Sequence, residues 1–127
     1  MKTKTLLTIG ILTSALIGLA EKSAIAQSQP NCRNPQTQIE MNVCAAESAK
    51  AADRRLNQVY QKIRANYKGT PREPKLVDAQ LDWIKFRDTN CAFSRSRFEG
   101  GSIAPLVYHS CIERITKQRT QELESYL

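Results

Sequence analysis

The run Leu76–Phe93, LVDAQLDWIKFRDTNCAF, constrains the fold more than any other stretch. It holds the chain's only Trp, two of its three Phe and one of its four Cys. Leu76, Ala79, Trp83, Phe86, Asn90 and Phe93 recur at three- and four-residue steps, the stripe of an amphipathic helix and not the alternation of a strand. Trp83 and Phe86 can each bury a large area, so this run is expected to be the central helix of a small bundle. The chain on either side carries matching stripes that need such a surface.

The N-terminus has the pattern of a signal peptide. Lys2 and Lys4 form a basic start, Leu6–Leu19 is apolar, and Ala24-Ile25-Ala26 gives a small-x-small cleavage site. The apolar run is short for a membrane span, and no second one follows. Gln27 follows Ala26 where a lipid-anchored protein needs a Cys. The expectation is a leader over 1–26 and a single secreted or periplasmic domain over 27–127, with no stable membrane anchor. That domain has 101 residues, the 127 of the chain less 26, which is near the size where covalent staples help. The chain's formal charge is +7; Lys2, Lys4, Lys22 and Glu21 contribute +2 of it, leaving +5 for the domain. A basic balance favours anionic surfaces without naming one.

All four cysteines, Cys32, Cys44, Cys91 and Cys111, lie within 27–127. An even count in a small exported domain reads as two disulfides. No Cys-x-x-Cys occurs and His109 is the only His, so zinc ligation is a poor reading.

Pro30 and Pro35 mark an extended lead-in. Thr37-Gln38-Ile39-Glu40 then fits a capping box for a first helix with the stripe Met41, Ala45, Ser48, Ala52, Leu56, Val59, Ile63 and Tyr67. Gly69 suits a left-handed stop, and Pro74 the first turn of the second helix. The second helix should run to about Arg97, where Gly100-Gly101 breaks it. Ser102 is the expected cap of a third helix, with Pro105 in its first turn and the stripe Tyr108, Ile112, Ile115, Arg119, Leu123 and Tyr126. Glu113 and Lys117 make a favourable i,i+4 pair.

These readings define an all-α fold, an antiparallel three-helix bundle braced by two disulfides. Its topology gathers all four cysteines at one end. Three pairings exist. Cys32–Cys44 and Cys91–Cys111 are favoured because each closes a short loop. Spacing leaves Cys44–Cys111 with Cys32–Cys91 open.

No catalytic constellation is visible. With every Cys in a disulfide no thiol nucleophile remains. Asp78 with Asp82, and Glu122 with Glu124, are spaced as solvated helix faces, and a small bundle has little room for a cleft flanked by two carboxylates. No catalytic residue, metal or cofactor is expected. Asp53 and Arg87 border the first and second stripes and are placed to form an interhelical ion pair. Arg87, Arg95 and Arg97, followed by Gly100-Gly101-Ser102, give an exposed basic corner with Phe93 and Phe98 interleaved, and Arg with aromatics suits protein binding. The candidate contact residues are Arg95, Arg97, Phe98, Gly100, Gly101 and Ser102. Nucleic acid is not an expected partner of an exported protein.

Three segments carry a family resemblance. They are Thr37-Gln38-x-Glu40-Met41-Asn42-x-Cys44-Ala45, Ala52-Asp53-x-x-Leu56-Asn57-x-x-Tyr60 and Ala79-Gln80-x-x-Trp83-Ile84-x-Phe86-Arg87-Asp88-x-x-Cys91. Gly100-Gly101-Ser102, Cys111, Thr116, Arg119 and Leu123 continue the pattern. The chain resembles the LprI-type lysozyme inhibitor N-terminal domain family over nearly all of 27–127. The resemblance implies a small exported helical domain that binds a protein, with lysozyme the partner the family name points to. Two departures stand out. The lipobox of the lipoprotein that names the family is missing, and the chain is basic, as many lysozymes are, whereas an inhibitor is expected to present complementary charge. The other class of function that the charge supports is an envelope module binding a polyanion or a small anionic ligand.

Overall fold

The computed structural model describes residues 30–127; the expected leader and its cleavage site lie outside the described residues. Three helices make up the fold, α1 (Gln38–Asn66), α2 (Arg72–Ser96) and α3 (Ala104–Glu124), with no strand among the described residues. Each begins or ends where local chemistry dictates. The Thr37 hydroxyl accepts from the Glu40 amide at 3.2 Å, and the Glu40 carboxylate accepts from the Thr37 amide at 3.1 Å, completing the capping box. Gly69 takes φ +73° just after α1, a conformation in which any Cβ is strained. Glu73, in the first turn of α2, accepts from the Gly69 amide at 2.9 Å and ties that turn down.

The cap of α3 differs from expectation. Ile103 occupies the cap position in a helical conformation without a side-chain hydrogen bond, and Pro105 follows in the first turn. The chain enters α3 through consecutive tight turns, Gly101 N to Phe98 O at 2.9 Å and Ala104 N to Gly101 O at 3.2 Å. Ser102 therefore lies within a turn, away from the extended geometry a capping hydroxyl needs. Its carbonyl instead accepts from Asn42 Nδ2 at 3.0 Å, fastening the corner to α1.

The central helix is α3, not α2. α1 and α2 both pack on α3 and scarcely approach each other. The burial pattern shows why. On α3, neighbouring pairs are buried at four-residue steps, Cys111 with Ile112, Ile115 with Thr116 and Arg119 with Thr120, so two adjacent faces are covered. On α2 only Gln80 and Cys91 are buried. The seam of α2 runs through Gln80, Arg87 and Cys91, and it is polar and covalent in place of apolar. Gln80 Oε1 accepts from Arg119 Nε at 3.2 Å, and Cys91 is bonded to Cys111. The stripe expected from Leu76 to Phe93 drifts off this seam. Trp83 is half-buried against both core clusters, but Phe86 is 57% and Phe93 73% exposed.

α1 meets α3 along Ala45, Ala49, Ala52, Leu56, Val59 and Ile63, all buried. Ala49 takes the core position assigned to Ser48, which is exposed. The alanines permit close approach at the disulfide end, while Leu56, Val59, Ile63 and Leu123 fill the other. Tyr126, the last position of the α3 stripe, lies beyond the helix and is exposed.

Candidate partner-binding surface

The disulfides pair Cys32 with Cys44 and Cys91 with Cys111. The first holds the lead-in against α1, and the second clamps the end of α2 to the start of α3. No cysteine is free. Between Cys91 and Cys111 the chain forms the corner of Arg95, Arg97, Phe98, Gly100, Gly101 and Ser102, which the structure brings together on one exposed turn.

Several contacts fix this corner. The Ser94 hydroxyl donates to Asn90 O and the Ser96 hydroxyl to Phe93 O, holding the last turn of α2. Phe98 N donates to Arg95 O at 2.9 Å. Gly100 adopts φ +77°, which favours glycine, and a Cβ on Gly101 would sit 3.1 Å from Phe98 O, a tight contact. Asn42 anchors the turn from α1. The Arg95 guanidinium lies 5.9 Å over the Tyr108 ring, a cation–π contact that orients it without cancelling its charge. Among the described residues, no carboxylate lies within salt-bridge distance of Arg95 or Arg97.

The structure adds residues that the periodicity placed elsewhere. Phe93, which the sequence places both on the core stripe and among the corner's arginines, is exposed beside the corner, as are Phe98 and Ile103, whereas Arg87 is turned inward to Asp53 and is not part of it. Ile39 and Val43, at the start of α1 and the same end of the bundle, are exposed as well. The disulfide end thus carries large apolar side chains beside uncompensated arginines, the composition of a protein-contact surface. Ile39 carried a usable signal, since it falls in the first turn, off the Met41–Ala45–Ala52 face.

His109 lies at the same end, its ring edge-on to Tyr108 at 5.3 Å. Burial holds its imidazole below the ordinary value, and the nearby Lys50 charge adds to the effect. No group of three or more His, Cys, Asp or Glu side chains is gathered as a metal site among the described residues. Of the carboxylates considered in the sequence, Asp78 and Asp82 are exposed, Glu122 pairs with Arg119 and Glu124 with Arg55. Asp53 accepts from Arg87 Nη1 at 2.7 Å, so the interhelical ion pair is present.

These features define a class: a small three-helix domain, covalently braced at one end by two disulfides, with arginines and large apolar side chains exposed at that end. The family model of the lysozyme inhibitor LprI matches residues 30–123, and the chain belongs to that family. It is also 31% identical over 113 residues to the uncharacterized protein R02472 of Rhizobium meliloti (strain 1021), covering 80% of this chain and 81% of the relative. No solved structure matches. The family is described as lysozyme inhibitors, which at family level implies a protein partner. No helix among the described residues is long and apolar enough to cross a membrane.

Proposed function

We propose that this domain inhibits a lysozyme by steric docking of its disulfide end into the enzyme's cleft, outside the cytoplasm. The observation that carries the reading is the rigid corner where Arg95, Arg97 and Phe98 project beside exposed Phe93 and Ile103. Two disulfides suit an oxidising compartment, secreted or periplasmic, as does the leader expected over 1–26.

The charge departure has a local answer. Lysozymes hydrolyse glycosides with a pair of carboxylates in a cleft. Arginines on a convex corner complement that acidic centre even where the two proteins carry net charge of the same sign. Long-range repulsion slows encounter, and short-range pairing holds the complex. The corner is held in place before binding, so little ordering entropy is lost on docking. No catalytic group is required.

Lysis of a peptidoglycan suspension by several lysozyme types, with and without the oxidised domain, tests this. The expected result is saturable, dose-dependent inhibition of one type, weakened at least about tenfold by Arg95→Glu with Arg97→Glu. Equal inhibition by that variant removes the corner as the contact surface. The basic balance favours a second reading, binding of an envelope polyanion. Retention on an anionic matrix that falls steeply with salt, without inhibition, supports it.

A further inference from the structure

The end of the bundle remote from the disulfides has its own cleft. The last turns of α1, the first turns of α2 and the last turn of α3 enclose about 370 Å³ there. That volume falls within the range of small-molecule sites, roughly 300–1,000 Å³. The apolar surface of the cleft is Leu76 and Ala79, backed by fully buried Ile63. Two phenol rings, Tyr67 and Tyr126, stand at its sides.

The polar groups around it are cationic. Arg119 is buried, and its guanidinium is oriented by the 3.2 Å hydrogen bond from Nε to Gln80 Oε1. Glu122 is the cleft's one carboxylate, and it lies 2.8 Å from Arg119 Nη1, so its charge is already matched. Arg72 and Lys75, on the first two turns of α2, have no carboxylate within salt-bridge distance among the described residues. The Arg72 guanidinium is held 4.2 Å over the Tyr67 ring, which fixes it at the cleft's edge without neutralising it. An apolar floor between aromatic rings, with two uncompensated cations at the rim, asks for a ligand with one anionic head and an apolar or ring-bearing body.

We propose that this cleft is a binding site for a small amphipathic anion. Its carboxylate, sulfonate or phosphate head is held by Arg72 and Lys75, and its body rests on Leu76 and Ala79 between Tyr67 and Tyr126. A neutral molecule of the same shape leaves both cations uncompensated and binds more weakly. The site is separate from the corner of Arg95 and Arg97 and does not depend on lysozyme being the partner.

The test titrates the oxidised protein with 8-anilinonaphthalene-1-sulfonate, which is such an anion. Fluorescence and backbone amide shifts are followed together. The expected result is saturable binding to one site, with the largest shifts at Tyr67, Leu76, Ala79 and Tyr126. Arg72→Gln with Lys75→Gln should weaken binding at least about tenfold, because two charge-assisted contacts are lost. The neutral analogue N-phenyl-1-naphthylamine should bind at least about tenfold more weakly than the sulfonate. Both substituted side chains are exposed, and circular dichroism checks that the variant retains its helices. Arg95→Glu with Arg97→Glu should leave dye binding unchanged, and the cleft variant should leave lysozyme inhibition unchanged, so failure at one end is distinguishable from failure at the other. Absence of saturable binding, unchanged affinity in the cleft variant, equal affinity for the neutral dye, or shifts centred on Phe93 and Phe98 would each overturn the assignment.

Discussion

Replacing Arg87 by Ala should be the most damaging single change to a charged residue in this domain. The Arg87 side chain is only 13% exposed. Its Nη1 donates to Asp53 Oδ1 at 2.7 Å and to Thr116 Oγ1 at 3.3 Å, and its Nε donates to Asp88 Oδ1 at 2.9 Å. Its guanidinium also lies 5.1 Å over Trp83. One side chain therefore links all three helices where α1 and α2 scarcely meet. Hydrogen bonds to charged groups contribute roughly 1.5–3 kcal/mol, and removing one partner of a fully buried pair costs roughly 3–5 kcal/mol. Asp53 and Asp88 keep 42% and 47% of their side-chain exposure, so water recovers much of their lost partnership. The expected cost of Arg87→Ala is about 2–3 kcal/mol, including packing lost over Trp83. For a domain of this size that lowers Tm by roughly 10–20 °C. Urea unfolding of the oxidised protein measures it directly. Arg87→Lys, which keeps the charge and loses the fork, should cost about 1–2 kcal/mol. Combining Arg87→Ala with Asp53→Asn should show a coupling of about 1 kcal/mol. An Arg87→Ala variant within about 0.5 kcal/mol of wild type would refute the claim that this network joins the helices.

Three further predictions concern the frame. Replacing Cys91 and Cys111 together by Ser opens a loop with a sequence separation of 20 and should cost about 3 kcal/mol or more, since Cys91 is fully buried; the pair Cys32 and Cys44, with a separation of 12, should cost slightly less. Chemical denaturation of the two double variants ranks them, and the reverse order would contradict the loop argument. His109 has a folded pKa below its ordinary 6.5, so on acidification the unfolded chain takes up the proton first. Stability should be full above that value and fall as pH drops through 6.5 toward the folded pKa, and His109→Gln should flatten the loss between pH 7.5 and 5.5. Glu40 and Glu73 are lowered from 4.5, chiefly by the Gln36 and Gly69 amides respectively, so their contributions are lost only at pH below this window. Gly100→Ala should cost about 1 kcal/mol from backbone strain alone, because a Cβ there meets nothing within 4 Å, and Gly100→Asn should cost less. A thermal melt of both variants checks the order.

The legible part of the fold was the part written in local chemistry. Thr37 with Glu40, Gly69 and the Glu113–Lys117 pair, closed at 2.6 Å, behave as their neighbours in sequence dictate. Helix order placed all four cysteines at one end, and short loop closure, not helix order, favoured the pairing that is found. The choice of central helix was not readable from hydrophobic periodicity. α2 carries the large aromatics, yet its buried seam is Gln80, Arg87 and Cys91, residues that a periodicity count scores as polar or ambiguous. α3 hides its role in paired positions such as Ile115 with Thr116, where a buried Thr holds one of the two faces. The corner of Arg95 to Ser102 was visible as a basic break in helical pattern. The exposure of Phe93 beside it was legible only in part, since Phe93 falls among the corner's arginines and also on a stripe that scores as core until the neighbouring helix is placed. The remote cleft was equally hidden, because Tyr67 at the end of α1, Arg72 at the start of α2 and Tyr126 beyond α3 are brought together only by the packing of the helices.

The central claim is that the disulfide end blocks a lysozyme. The most direct measurement is the rate of peptidoglycan lysis by several lysozyme types against increasing concentrations of the purified, oxidised domain, at low and physiological salt. The account predicts saturable inhibition of at least one type, lost on reduction of the disulfides and weakened by Arg95→Glu with Arg97→Glu. Undiminished lysis by every type at saturating domain, with the disulfides intact, would contradict it.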